Sequence, residues 1–285
     1  MLSIHPIKRL RKGRVMLACL LVLAFPAVVW SMPILGAAQS FTVLGGATVT
    51  NTGLSAIRGD VGVAPGTAIT GLDAATLAGA MHGGDAAAML AHADALAASD
   101  YLAGLAFTRD LSGQDLGGMV LTAGVYRLAS SAQLTGSLVL DARNMANALF
   151  VFQIGSTLTT ATASSVNVIN GSADTGVFFG VGTSAVLGAG SQFAGNIVAS
   201  DSITLNATAS VLCGRVLSVN GAVTLDTNAL SNDCGNGDFG SAGYSGLVQA
   251  QPDQDVPEPA TLPLLLFGMT ALVWTARKPA IGKHV

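Results

Sequence analysis

The sequence has 285 residues, of which 51% are hydrophobic, 10% are charged and 35 are glycines. This composition excludes an intrinsically disordered chain, which needs low hydrophobicity and high charge, and the formal net charge of -3 argues against a nucleic-acid-binding protein. A multi-spanning membrane protein is also excluded, because the apolar residues are mostly Ala and Val interrupted by Gly, Ser and Thr.

The N-terminal residues have the order of features found in a secretory signal peptide. A basic segment at residues 8–14 precedes an apolar run from Val15 to Trp30, and the small residues Gly36, Ala37 and Ala38 follow. Basic, apolar and small segments in this order predict a signal peptide over residues 1–38, with cleavage after Ala38. A retained N-terminal anchor is the alternative.

An alanine- and leucine-rich segment from His82 to about Ala106 predicts one long helix, since these residues are the best helix formers. An apolar stripe at steps of three and four residues is expected to dock on the rest of the fold; it consists of Met89, Leu90, Ala93 and Leu96. His82 and His92 are expected to be solvated polar residues, because ten residues between them is a poor spacing for metal ligands on one helix face.

Most of the remaining sequence predicts short β-strands. Apolar and polar residues alternate in the segments 202–206 and 222–226. This period of two places Ile203, Leu205, Val223 and Leu225 on an inward face. The residues between them then point outward, namely Thr204, Asn206, Thr224 and Asp226.

These strands recur at a fixed interval. The two alternating segments are twenty residues apart, and residues 191–197 match residues 210–216 at an offset of nineteen. A repeat of this length, with three short strands and small corner residues per unit, is typical of a β-solenoid. A β-sandwich is the alternative, but it does not require the same residue types to recur at a fixed period, so the solenoid is favoured.

Two cysteines lie in the body of the chain, Cys213 and Cys234. In an exported protein this pair predicts one disulfide, which would close a loop of about twenty residues and contribute about 3 kcal/mol. Two free thiols are the alternative, and two lone cysteines make a metal site improbable.

The body of the chain is acidic. Between Gln39 and Asp255 there are fifteen aspartates and five arginines, with no lysine or glutamate, which gives a net charge of -10. The near-neutral total thus combines an acidic body with two basic ends. Such a body disfavours phosphate and nucleic-acid partners.

The C-terminal residues form a three-part pattern after a predicted flexible linker at residues 234–255. A proline motif comes first (Val256, Pro257, Glu258 and Pro259), then an apolar stretch from Leu262 to Val273, then Arg277 and Lys278. The apolar stretch is shorter than the roughly 20 residues that span a bilayer comfortably. Residues 256–285 resemble the PEP-CTERM sorting tail of exported bacterial proteins; an ordinary C-terminal anchor helix is the alternative. The resemblance implies an exosortase-type membrane enzyme as partner and transient inner-membrane anchoring in a Gram-negative bacterium that makes exopolysaccharide.

Several blocks in the body match one protein family in order: Phe41–Gly46, Val49–Gly53, Ile57–Thr67, Gly124–Tyr126, Phe150–Ser156 and Asn220–Thr227. From about Ala38 to Ser231 the chain resembles the ice-binding-protein-like family of microbial secreted proteins. The resemblance implies a mostly β fold over residues 39–233: an irregular right-handed β-helix, a triangular solenoid, with one long α-helix packed alongside.

The same resemblance implies that ice is bound through one flat face bearing regularly spaced threonines. The family pattern Thr-Ala/Gly-x-Thr/Asn occurs at residues 67–70. Strand alternation adds five candidates for this face: Thr157, Thr159, Ser202, Thr204 and Thr224. Val186 is expected to point outward in an intermediate turn, and Asp226 is expected to lie on the same edge. The face thus mixes threonines with an apolar and a charged residue, which favours weak ice binding.

No motif in the sequence indicates an enzyme. No nucleophile motif lies near His82 or His92, and the Gly-Gly-x-Gly-x-Asp repeat of calcium-binding solenoids is absent. We therefore expect no catalytic residues, metal or cofactor. Two functions remain: an exported protein that adsorbs to an ice crystal surface, or a structural or adhesive component of the cell surface or exopolysaccharide matrix that contacts matrix polysaccharide.

Overall fold

Parallel β-strands make up most of the structure, a computed structural model that describes residues 34–73, 76–172 and 175–233. The predicted linker and C-terminal tail lie outside these described residues, as does most of the predicted signal peptide. A short 3₁₀ turn, Gly36–Ser40, is the first element among the described residues. Seven strands then precede the helix: β1 (Phe41–Gly45), β2 (Thr48–Thr52), β3 (Ala56–Arg58), β4 (Asp60–Val63), β5 (Ala68–Thr70), β6 (Leu77–Ala78) and β7 (Met81–Gly83).

The helix α1 (Ala86–Gly104) lies within the predicted segment, and fifteen strands follow it. They are β8 (Arg109–Asp110), β9 (Val120–Thr122), β10 (Gly124–Leu128), β11 (Ala132–Leu134), β12 (Ser137–Asp141), β13 (Leu149–Ile154), β14 (Leu158–Thr160), β15 (Ser165–Ile169), β16 (Gly176–Val181), β17 (Ala185–Leu187), β18 (Gln192–Ala199), β19 (Ile203–Leu205), β20 (Ser210–Ser218), β21 (Val223–Asp226) and β22 (Ala229–Ser231).

Successive turns of the chain stack on one another, with three strands to a turn. After β10, β11 and β12, the chain returns so that β13 pairs with β10, β14 with β11 and β15 with β12, all in parallel. The first half of each long strand, β18 and β20, lies in one strand row and the second half in another. This joins two of the three strand rows into one fifteen-stranded sheet. The third row is a separate seven-stranded sheet, in the order β11-β14-β17-β19-β21-β2-β5.

The predicted repeat interval is confirmed by the strand register. Ile203 pairs with Val223 at an offset of twenty, and Asn196 pairs with Arg215 at an offset of nineteen. The register shifts between Phe193 and Ala194, so that Leu212 is an extra residue on β20 and its side chain is exposed. One inserted residue of this kind is a β-bulge, and it explains why the repeat interval is not constant.

The order of turns in space differs from their order in the sequence. Strand β1 lies between β20 and β4, so the first turn of the chain stacks on the last one. The helix makes this possible, because it contacts β7 and β4 at one end of the stack and β13 towards the other. It carries the chain along the outside of the stack, and the later turns then build back towards the first.

The interior of the stack is apolar. Tyr126, Phe152 and Phe179 come from successive turns and Phe193 from the start of β18, and their neighbouring ring centroids are 5.3, 4.5 and 4.7 Å apart. Such ring contacts add to the free energy of burying the side chains. The residues predicted to face inward from β19 and β21 are all fully buried here.

The prediction for the docking face of α1 was wrong. Met89, Leu90 and Leu96 are 54%, 58% and 45% exposed, and Ala93 is exposed as well. The buried residues are instead Ala88, Ala91, Ala95, Ala98 and Leu102. The sheet beneath α1 already presents large outward side chains, among them Val151, Phe178 and Leu217, so only a face of small residues lets the helix approach closely.

Both ends of α1 are capped by side chains. Asp85 precedes the helix and accepts a hydrogen bond from the backbone N–H of Ala88 at 2.9 Å. At the other end the Gln153 amide donates to the carbonyl oxygens of Leu102 and Leu105, at 2.8 and 2.7 Å. These contacts satisfy backbone groups that a helix terminus leaves without an intrahelical partner.

The two histidines near the helix are half-buried, contrary to the expectation that they are solvated. His82 Nδ1 lies 2.8 Å from Asp85 Oδ2, and His92 Nε2 lies 2.8 Å from the carbonyl oxygen of Val219. Within the described ranges, no group of three or more His, Cys, Asp or Glu side chains could hold a metal ion. Nor does any helix in those ranges combine the length and the apolar character needed to cross a bilayer.

Candidate functional site

The outward surface of the seven-stranded sheet carries a straight row of aligned side chains, one from each strand. Strand pairing sets the register between each neighbouring pair along the row. We call this surface the threonine face, and its central row, in spatial order, consists of Gln133, Thr159, Val186, Thr204, Thr224, Thr50 and Thr70.

All seven side chains of the central row are exposed or half-exposed, whereas their neighbours along each strand are inward-facing. On β19, for example, Ile203 and Leu205 are buried and Thr204 between them is accessible. The period of two along a strand therefore separates core from surface at every turn. Parallel strands lie about 4.8 Å apart and every second residue of a strand about 6.6 Å apart, so the row belongs to a regular two-dimensional array.

A second row lies beside the central row, two residues earlier on each strand. Backbone hydrogen bonds of 2.8 to 3.1 Å set its register, since the residue after one row member donates to the carbonyl oxygen of the next member: Ala132 N–H to Thr157, Leu158 N–H to Ser184, and Ala185 N–H to Ser202. At the other edge of the sheet, β2 and β5 continue the row in register. Its members are all small, namely Ser131, Thr157, Ser184, Ser202, Ala222, Thr48 and Ala68.

The hydroxyl groups of the two rows differ in their hydrogen bonds. In the second row, Ser202 Oγ accepts from the backbone N–H of Ala222 at 3.2 Å, so this hydroxyl is committed to the strand pair. In the central row, Thr159, Thr204 and Thr224 make no side-chain hydrogen bond to another described residue. Hydroxyls without a protein partner are available to water, so these three threonines of the central row can each bind water.

Very little charge lies on this surface. Among the outward-facing residues of the seven strands themselves, Asp226 on β21 is the one charged side chain. It pairs in register with Thr52 of β2. The rest of the surface is Thr, Ala, Val and Gln, side chains that hold no strong hydration shell around a charge.

One edge of the face is closed by Asp115, which bridges to Gln133. Its Oδ1 accepts from the backbone N–H groups of Gly117 and Thr135, at 2.7 and 2.9 Å, and its Oδ2 accepts from the Thr135 hydroxyl. Slight burial raises the pKa of this carboxyl, but these hydrogen bonds favour the charged form and bring the pKa below its ordinary value of 3.8. A charged side chain that occupies edge N–H groups also discourages pairing with another chain.

The structure brings all five sequence candidates together on this one surface. Thr159, Thr204 and Thr224 lie in the central row, and Thr157 and Ser202 lie in the second row. Val186 points outward from β17 between Thr159 and Thr204, as expected.

The threonines at the far edge of the face are not predicted by the sequence patterns. Thr50 pairs in register with Thr224, and Thr70 with Thr50, where the two hydroxyl oxygens are 3.4 Å apart. Thr48 and Thr52 extend the same strand. The motif at residues 67–70 is recognisable in the sequence, but its alignment with the C-terminal strands depends on the first turn stacking on the last. No local pattern in the sequence reveals that stacking.

Of the other candidate residues, Cys213 is described, and it lies on β20 in the fifteen-stranded sheet. Cys213 is disulfide-bonded, while Cys234 lies outside the described residues, so the pairing of the two remains a prediction. The sorting-motif residues Val256, Pro257, Glu258 and Pro259, together with Arg277 and Lys278, also lie outside the described residues.

The threonine face falls within residues 43–231, the part of the chain that matches the ice-binding-like protein family. The chain belongs to this family. It is similar to an ice-binding protein of Nostoc sp. (strain HG1), with 48% identity over 249 residues, which covers 87% of this chain and 88% of that relative.

Two solved structures of ice-binding proteins share the mostly β architecture with parallel sheets and one helix. One comes from the Antarctic ascomycete Antarctomyces psychrotrophicus; it has a TM-score of 0.65 and 38% identity, over 70% of this chain and 98% of that one. The other comes from an Antarctic biological consortium and has a TM-score of 0.65 and 33% identity, over 80% of this chain and 96% of that one. This member of the ice-binding-like family therefore has the fold of proteins named for ice binding.

Proposed function

We propose that this protein binds ice through the threonine face. The observation that carries the proposal is the central row, in which five of seven aligned outward residues are threonines on a sheet that no other described element covers. Membership of the ice-binding-like family, and the names of its relatives, support the same function.

The physical basis of the proposal is a rigid array that orders water before contact with ice. Each threonine presents a hydroxyl, which hydrogen-bonds to water, and a methyl group, which limits where that water can lie. Because backbone ladders and a packed interior fix the spacing of these groups, little conformational entropy is lost when ice is bound. Charged or long side chains would hold water in other geometries, and few are present.

Two residues of the central row depart from threonine, Val186 and Gln133, and Asp226 adds a charge beside it. Val186 supplies a methyl group but no hydroxyl, in the middle of the face. We infer that these departures weaken ice adsorption, so that the protein binds ice weakly.

We further propose that the stacked turns form a right-handed solenoid of triangular section, and that the protein acts outside the cell. Residues 1–38 would be a signal peptide, residues 39–233 the ice-binding domain, residues 234–255 a linker, and residues 256–285 a sorting tail read by an exosortase-type enzyme. The tail pattern also favours a second candidate function, a non-enzymatic component of the cell surface or exopolysaccharide matrix. In that case the protein would stay at the surface without affinity for ice.

Thermal hysteresis, ice recrystallisation and partition into a growing ice front, measured on the purified full chain, test the proposal. We expect activity in the wild type and its loss in a Thr204→Tyr/Thr224→Tyr double variant, because two bulky rings break the flat array. Val120→Tyr is the matched control, since Val120 is 66% exposed on β9, outside the threonine face, and its variant should retain full activity.

Circular dichroism should show that all three proteins fold alike, because every substituted side chain faces solvent. An inactive wild type would reject ice binding and leave the matrix role, which is tested by co-fractionation of the protein with exopolysaccharide. Equal activity in the double variant and the wild type would show that another surface binds ice.

A further inference from the structure

The turns that lead off the threonine face contain two threonines in an uncommon backbone conformation. Thr208, after β19, has a φ of 60°, and Thr227, after β21, has a φ of 53°. Positive φ is uncommon for any residue other than glycine, and for a β-branched residue it is an outlier, because Cβ crowds the backbone. Threonine is therefore a disfavoured residue for the backbone conformation at both positions.

Both threonines belong to a column of equivalent turn residues with positive φ, one from each of five neighbouring turns. The Thr208 N–H donates to the carbonyl oxygen of Asp226 at 3.2 Å, and the Thr227 N–H donates to that of Thr52 at 2.9 Å. Such bonds tie each turn to the next and hold φ in the left-handed region. We call this set the corner column; in spatial order it comprises Ala163, Gly190, Thr208, Thr227 and Gly53.

The two threonine side chains are exposed, and their hydroxyls are held by hydrogen bonds. Thr208 Oγ1 donates to the carbonyl oxygen of Ala207 at 2.6 Å, and Thr227 Oγ1 donates to Asp226 Oδ1 at 3.1 Å. The neighbouring turn leaves room for Thr227, because a Cβ at Gly53 would lie 2.3 Å from Thr227 Oγ1. The fold thus accommodates a side chain that it does not bury.

Stability alone does not explain threonine at these two positions. Glycine occupies two positions of the same column with the same sign of φ, and exposed side chains contribute little to stability. Disfavoured backbone conformations that persist in a fold are concentrated at binding sites. Thr208 lies four residues after Thr204 and Thr227 three residues after Thr224, so both lie in the turns at the end of strands that carry the threonine face.

We propose that Thr208 and Thr227 contact ice, so that the binding surface continues from the flat sheet onto the corner column. This inference rests on the proposed function. The corner threonines add two hydroxyls and two methyl groups, in fixed positions, beyond the strand ends at the edge of the threonine face. The bound ice then contacts both the threonine face and the corner column.

A Thr208→Gly/Thr227→Gly double variant tests this surface, because it relieves the disfavoured backbone while it removes both side chains. We expect its unfolding temperature to equal or exceed that of the wild type, and its thermal hysteresis at equal concentration to fall. Ala163→Gly is the matched control: it relieves the same conformation in the same column but removes no threonine, so its hysteresis should be unchanged.

A second pair of substitutions, Thr208→Asn/Thr227→Asn, keeps a residue that tolerates positive φ but removes both γ-methyl groups, and it should lose hysteresis as well. Hysteresis equal to that of the wild type in both double variants overturns the inference. Hysteresis unchanged in both corner double variants overturns this inference alone, and not the proposed function, when the wild type is active and Thr204→Tyr/Thr224→Tyr is inactive. An inactive wild type overturns the proposed function and this inference together.

Discussion

Two outward surfaces of the stack differ in the side chains that they present and in whether another element covers them. Beneath α1, the outward residues of the fifteen-stranded sheet are large and apolar, as in Val151, Phe178, Val198 and Leu217, and all are buried in a cluster that includes residues of α1 together with Leu35 and Ala38. On the threonine face, the outward residues are small and hydroxyl-bearing, and no described element covers them. Apolar outward residues need a cover because exposing them to water costs free energy, whereas threonines can remain in contact with water.

This difference indicates which surface is free to act. The helix docks on the strand row whose outward residues form a continuous apolar cluster with it. The seven-stranded sheet, left uncovered, keeps a flat and weakly charged surface.

The largest effect is expected on the covered surface, from Leu102→Ala. Leu102 is fully buried against the sheet, so its truncation should destabilise the fold by about 2–5 kcal/mol through lost burial and the cavity that remains. Leu96→Ala is the matched control on the same helix; because Leu96 faces solvent, its free energy of unfolding should change by no more than about 0.5 kcal/mol. Chemical denaturation of both variants measures this, and similar losses would show that the exposed stripe is also packed.

An intermediate effect is expected on the bare surface, from Val186→Thr. This change completes an unbroken run of threonines from Thr159 to Thr70 in the central row, so thermal hysteresis should rise. Stability should change by less than about 1 kcal/mol, because threonine suits a half-exposed strand position as valine does.

Val139→Thr provides the control for this gain, since Val139 is half-exposed on β12, outside the threonine face. Its hysteresis should match that of the wild type. A rise in both variants would mean that added hydroxyls act through solubility or general hydration, not through the regularity of the row.

The smallest effect is expected at the edge of the bare surface, from Asp115→Asn. The hydrogen bonds from Thr135 and Gly117 lower the folded-state pKa of Asp115, so its charged form stabilises the fold above the ordinary pKa of 3.8. That stabilisation is lost as the pH falls through the lower folded-state pKa.

The variant should therefore have a slightly lower unfolding temperature at neutral pH and a shallower decline in acid. Unfolding temperatures measured from pH 7 to pH 2 test both expectations. Residual decline is expected in the variant, because hydrogen bonds also lower the pKa of Asp85, Asp110 and Asp141. An acid decline identical to that of the wild type would exclude a contribution from Asp115.

Local patterns in the sequence determined much of this protein. The alanine-rich segment predicted α1, and strict alternation predicted that Ile203 and Leu205 are buried while Thr204 between them is accessible. These features depend on the period of a single element, which neighbouring residues establish by themselves. The five face candidates are found on one surface for the same reason, since they occupy equivalent positions in successive repeats.

Tertiary structure decided the rest, because the remaining features depend on residues far apart in the sequence. The face of α1 that docks is set by the side chains of the sheet below it, so alanines are buried and Met89 and Leu96 are not. Thr50 and Thr70 join the threonine face only because the first turn stacks on the last. The positive φ of Thr208 and Thr227 is likewise imposed by hydrogen bonds between turns, a constraint that no stretch of sequence carries alone.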